Sequence, residues 1–146
     1  MEVNRTYAHN GHVPVIHAGT LIERYVEQLV ADPRLRSTPA LGLGGLVPNL
    51  LRSPRALPYQ QILAGLQHVR DAFPDTRLHL FGVGGTATLH LAALLRVDSA
   101  DSSGWRSRAA RGIVQLPGRG DRMVAELGKW RGRVPSDDEW EMLRDC

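Results

Sequence analysis

An α/β fold is predicted: four parallel β/α units resembling half of a (β/α)8 barrel, followed by a helical C-terminal tail. Two patterns predict it. Short apolar runs alternate with amphipathic stretches of helical period, and each run leads directly into histidine, glycine, phenylalanine or aspartate. Repeated strand-helix steps in register select a parallel sheet, whose functional residues gather at the C-terminal ends of its strands.

Taken in order, residues 1–12 are polar and read as an irregular lead-in. The run Val13-Pro-Val-Ile-His17 reads as a buried strand, with its proline at the start, where a missing donor is tolerated. Thr20 and Glu23 have the spacing of a capping box. The helix they open carries Leu21, Ile22, Tyr25, Val26, Leu29 and Val30 at helical period and should stop near Asp32-Pro33. Ala40-Leu-Gly-Leu43 fits a second strand, leading into Gly44-Gly45-Leu46-Val47 and a loop that ends near Pro58. A helix is predicted over 59–73, with Ile62, Leu63, Leu66, Val69 and Phe73 on one side. A third strand over 77–81, a helix over 86–95 and a fourth strand over 97–100 complete a domain spanning 13–112. The extension 113–146 is read as helical, with helices at 121–130 and from Ser136, which forms a capping box with Glu139.

At 146 residues the chain is shorter than the roughly 250 that a complete (β/α)8 barrel takes. The fold is therefore either a smaller one or part of a barrel. The ending Leu143-Arg-Asp-Cys146, without a polar fade, suggests an interrupted longer chain. With 42% hydrophobic and 23% charged residues, no apolar run approaches the roughly 20 residues of a membrane span, and the amino terminus lacks a signal-peptide pattern. A cytoplasmic protein is expected, with no membrane partner.

The formal charge is +3, and all but one of the eighteen basic residues are arginine. Seven of these arginines lie between Arg106 and Arg133. Arg106, Arg108 and Arg111 directly follow the fourth strand and are candidates for phosphate contact through their forked donors. The same residues also fit solvated helix faces. The single cysteine, Cys146, excludes an internal disulfide and a zinc site built from several cysteines within the chain.

Chemistry concentrates at the strand ends. His17 ends the first strand, Gly44 and Gly45 allow close approach to the backbone after the second, and Phe81 offers a stacking surface after the third. Asp98 lies in the fourth strand and Asp101 directly follows it, and Asp101 is the prime candidate for catalysis. Asp98 is a candidate to tune or orient it.

In order, these segments read Ile16-His-Ala18, Gly44-Gly-Leu46, Phe81-Gly-Val-Gly84 and Asp98-Ser-Ala-Asp-Ser102. This series resembles the second half of the barrel in tRNA-guanine transglycosylases, which carries Val-Gln-Gly, Gly-Gly-Leu, Met-Gly-Val-Gly and Asp-Met-Phe-Asp-Cys. Ser99-Ala-Asp-Ser-Ser-Gly-Trp105 is more similar to the branch that handles deazapurines in DNA. The likeness covers roughly residues 13–111 and is poorest at His17, where the family has a base-binding glutamine.

The resemblance implies exchange of guanine for a 7-deazaguanine in tRNA or DNA. Asp101 would attack C1′ to form a covalent sugar ester. His17, Gly44, Gly45, Leu46, Phe81 and Gly82 would hold the base. The family's proton-transferring aspartate belongs to the first half of the barrel, so the chain alone is expected to carry out no exchange and to need a complementary half-barrel or a second copy. Asp98 or His17 would be the substitute proton carrier if it did. No cofactor is expected in this chain; zinc enters only if Cys146 is the first of a cysteine cluster in a longer one.

Two other readings remain open. Gly82-Val-Gly84-Gly-Thr-Ala87 also fits the dinucleotide fingerprint between a strand and a helix. The chain also fits a non-catalytic partner subunit.

Overall fold

After α1 (Glu2–Tyr7), four strands pair in parallel in the order in which the chain makes them: β1 (Val15–His17), β2 (Ala40–Gly44), β3 (Arg77–Leu80) and β4 (Ser99–Ala100). The computed structural model describes residues 2–7, 11–46, 56–129 and 131–145. Between β1 and β2 lie α2 (Ile22–Ala31) and α3 (Pro33–Arg36); α4 (Tyr59–Ala72) joins β2 to β3, and α5 (Thr86–Leu94) joins β3 to β4. The parallel α/β architecture read from the sequence is therefore present.

The register opposes Ile16 to Leu43, Leu41 to Leu78, and Leu43 to Leu80. All five leucine and isoleucine side chains are buried and join Val26, Leu29, Ile62, Leu66 and Val69 from α2 and α4 in one core. Burial of each such side chain stabilises the fold by about 1.5–3 kcal/mol. Strand alternation sends the neighbouring residues to the other face, where Val15, His17, Arg77 and Ser99 are exposed.

Local details differ from expectation. The lead-in is not irregular throughout: it contains α1, whose Asn4 amide accepts from the Val15 N–H (3.2 Å) and donates to the Val15 carbonyl (2.9 Å). A side chain thus takes the outward-facing backbone pair of the edge strand, a tertiary role invisible in a polar stretch. The capping box expected at Thr20 does not form; α2 begins at Ile22 behind Leu21, with no side-chain cap hydrogen bond. A real side-chain cap appears ten residues later, where Asp32 Oδ1 accepts from the Arg34 N–H at 3.0 Å and Pro33 opens α3. Proline suits that position because its missing donor would have gone unpaired.

Arg70 ties the lower end of this unit together. Its buried guanidinium donates from Nη1 to the carbonyls of Phe73, Pro74 and Thr76, and from Nη2 to the Arg96 carbonyl and Asp98 Oδ2. Arg96 stands in the left-handed region (φ 55°), so this grip helps hold an unfavourable turn between α5 and β4. Because truncation would strand several carbonyls, Arg70→Met is expected to lower stability by on the order of 3 kcal/mol. Urea denaturation followed by circular dichroism checks it; an unchanged midpoint would contradict this role.

The chain divides into two compact units between Ser102 and Ser103, whereas the sequence division falls after residue 112. The second unit holds α6 (Gly104–Ala109), the antiparallel pair β5 (Ile113–Leu116) and β6 (Gly120–Met123), and α7 (Asp137–Arg144). Helix α6 packs on β5 and so belongs with it. The helix expected over 121–130 is overturned: its first residues form β6. The turn Pro117-Gly118-Arg119-Gly120, with Gly120 at φ +82°, folds the chain back so that Ile113 pairs with Met123. The spacing of Met123, Val124 and Leu127 suits a helix locally, but the preceding turn decides the outcome. The second capping box is present, with Glu139 Oε2 accepting from the Ser136 N–H at 3.1 Å.

Candidate active site

Asp101 follows β4 on the face of the sheet opposite the core. Its N–H extends the ladder to the Leu80 carbonyl at 3.2 Å, while its Oδ1 accepts from the Gly82 N–H at 2.9 Å. Gly82 has φ +74°, a conformation that a residue with a side chain adopts only at a cost, and this turn aims its N–H at the carboxylate. The Asp101 side chain remains 60% exposed. It is thus oriented and accessible together, as an attacking carboxylate needs to be.

His79 was missed by the sequence reading. It lies on β3 directly opposite Ser99, with Nδ1 2.9 Å from Ser99 Oγ and Nε2 3.5 Å from Asp101 Oδ1. Phe81 meets its ring edge-on, with centroids 4.6 Å apart and planes at 71°. Alternation along β3 was the available signal: once Phe81 is assigned to the open face, His79 must share it.

Phe81 is 40% exposed and lies over Gly42, where an added Cβ would stand 2.7 Å from the ring. Gly42 therefore gives the aromatic ring its seat on the sheet. His17 is exposed and covers Gly44 and Gly45; a Cβ at Gly45 would stand 3.1 Å from His17 Nδ1. The structure thus brings His17 together with both glycines, but places its imidazole over their backbone. Leu46 is buried in the core and lines an apolar cleft with Tyr59, Leu80 and Val83, so its side chain serves packing.

Asp98 is corrected. Its Oδ2 accepts from the Leu78 N–H at 2.8 Å and from Arg70 Nη2 at 3.2 Å, near the start of β3, whereas Asp101 bonds to Gly82 beyond its end. The backbone hydrogen bond from Leu78, aided by Arg70, holds its carboxyl below the usual range. Asp98 closes the sheet and does not orient Asp101.

In the second unit, Arg106 and Arg111 are exposed and available to an anion. Arg108 is engaged: its Nε donates to Asp121 Oδ1 at 2.9 Å, clamping α6 to the β5–β6 hairpin. Cys146 lies outside the described residues. Among the described residues no group of three or more histidine, cysteine or acidic side chains is placed to hold a metal ion, and no helix is long and apolar enough to cross a membrane.

The glycines of the dinucleotide-like segment have internal explanations. A Cβ at Gly84 would fall 2.2 Å from the Ser102 Cβ, so close packing of two loops requires its absence. The Gly82 N–H is already given to Asp101, whose charge would repel a diphosphate at the same turn. No protein-family model matches the chain, and neither a curated protein nor a solved structure does.

Proposed function

We propose that the open face of the parallel sheet binds a guanine-type nucleotide of a nucleic acid and that Asp101 attacks its C1′, releasing the base and leaving a sugar ester. The observation that carries this reading is the Asp101 carboxylate, exposed at a strand end and oriented by the Gly82 N–H on the same face as Phe81. The resemblance to tRNA-guanine transglycosylases supplies the reaction class, with a 7-deazaguanine as the incoming base. Phe81 stacks on the base. The exposed Arg106 and Arg111 of the second unit are donors suited to phosphates in their own right.

In this reading the four units are the second half of a (β/α)8 barrel, and the open face is the wall of its interior. Exposed Val15 on that face and the outer edge of β4 are then surfaces for a complementary half-barrel or a second copy. Light scattering is expected to give a mass above that of one chain; a strictly monomeric particle across a concentration series would contradict this assembly.

The functional test is formation of an adduct that survives denaturation. The chain, in the higher-mass assembly that the proposal expects, is incubated with guanine-containing RNA stem-loops or with duplex DNA, then run on a denaturing gel. A shifted, nucleic-acid-dependent band with one of the two is expected and identifies the substrate class. No band with either overturns the proposal.

A further inference from the structure

We infer that His79 is the acid/base residue of this site, donating a proton to the departing base and recovering one from the incoming base. The inference rests on the transglycosylase reading and deepens it. The resemblance assigns proton transfer to strands that this chain does not contain. The structure places an imidazole nitrogen 3.5 Å from Asp101 Oδ1, on the exposed face where the sugar and base would have to lie.

Two contacts prepare the ring for this work. Ser99 Oγ, 2.9 Å from Nδ1, can accept the Nδ1 proton and so leaves Nε2 as the exchanging nitrogen. The Phe81 ring fixes the imidazole plane from the side. From β2 the opposing residue is Gly42, which brings no charge, so the charged neighbours along this face are Asp101 just after β4 and Arg77 two residues earlier on β3.

An Asp101 oxygen bonds to C1′ while the C1′–N9 bond breaks, and its electron pair leaves on the base, which takes the Nε2 proton from the imidazolium. The incoming base then gives its N9 proton to the neutral imidazole as N9 displaces the ester. Carboxylate and imidazolium are both restored.

His79→Gln keeps a polar side chain of similar reach, and circular dichroism verifies its fold. The variant is compared with the parent chain in adduct formation on two nucleic acids, one carrying guanine and one carrying 7-methylguanine. The methylated base already bears a positive charge and leaves without being protonated. Adduct formation on guanine is expected to fall by about 100-fold or more, with a change under roughly threefold on 7-methylguanine. Ser99→Ala, which only frees the ring to turn, is expected to cost about tenfold on guanine.

Equal losses on the two bases would reduce His79 to a structural residue, and undiminished activity on guanine would also overturn its role. Adduct abolished in Ser99→Ala but retained in Asp101→Asn would make Ser99 the nucleophile and overturn the assignment. Failure of the parent chain on both bases defeats the transglycosylase reading itself, and this inference with it. A parent adduct dependent on Asp101 but indifferent to His79 defeats only the inference.

Discussion

Asp101→Asn is expected to lower the rate of covalent adduct formation by roughly three orders of magnitude or more while leaving nucleic-acid binding within about twofold. The amide retains the shape of the carboxylate, and its oxygen can still accept from the Gly82 N–H that orients Asp101 at 2.9 Å. It loses the charge that makes the group a nucleophile. Fluorescence anisotropy with the same oligonucleotide measures binding, and denaturing gels measure the adduct. Binding lost in parallel with adduct would show that the substitution disturbs the site rather than its chemistry. Asp98→Asn separates the two aspartates, because Asp98 contacts Leu78 and Arg70; its effect should appear in stability and leave the adduct rate nearly unchanged.

The second large effect lies in the other unit and concerns acid. Arg122 and Glu139 form a two-pronged pair, Nε to Oε2 at 2.7 Å and Nη2 to Oε1 at 2.6 Å, with Glu139 only 1% exposed. The Arg122 hydrogen bonds hold the Glu139 carboxyl down at about 2, and Arg119 and Ser136 do the same for Asp138, also at about 2. A carboxylate depressed in the folded state contributes stability that is fully present above its unfolded value. That contribution is lost as pH falls through the folded value. For Glu139 the window runs from the ordinary 4.5 down to about 2.

Glu139→Gln should reduce this acid dependence to the part that Asp138 contributes and lower the thermal midpoint of the unit at neutral pH by roughly 10 °C, since it leaves Arg122 buried without its counter-charge. All three tryptophans lie after Ser102, so tryptophan fluorescence reports on this unit selectively. A parent protein equally stable at pH 5 and pH 2, or a variant with the parent's midpoint, would contradict the account.

The parallel sheet was legible because the first three strands carry apolar runs and α2 and α4 an apolar stripe, and those are the features that the core uses; α5 has no such stripe, and its Leu89, Leu91 and Leu94 are exposed. Leu41, Leu43, Leu78 and Leu80 are buried as their alternation implies. The hairpin at Ile113 and Gly120 was misread because helical spacing after residue 121 was weighed without the Pro-Gly turn before it. Edge protection by Asn4 and the reach of Arg70 to Arg96 and Asp98 depend on partners 11 to 28 residues away, beyond the reach of local pattern.

At the site, the position of Asp101 directly after a strand was legible in the sequence. Asp98 was misassigned because two aspartates three residues apart look like a pair in sequence, while a two-residue strand separates their surroundings. His79 was overlooked as one polar residue inside a strand; only the pairing of β3 with β4 sets it beside Ser99 and Asp101.

The central claim is that the Asp101 carboxylate becomes covalently bound to the sugar. Its most direct test is mass spectrometry of the trapped adduct after digestion with nuclease and protease, with fragmentation to locate the sugar. The account predicts a ribosyl or deoxyribosyl ester on Asp101. A sugar on Ser99, Asp98 or any other residue, or a digest in which Asp101 is unmodified throughout, would contradict it.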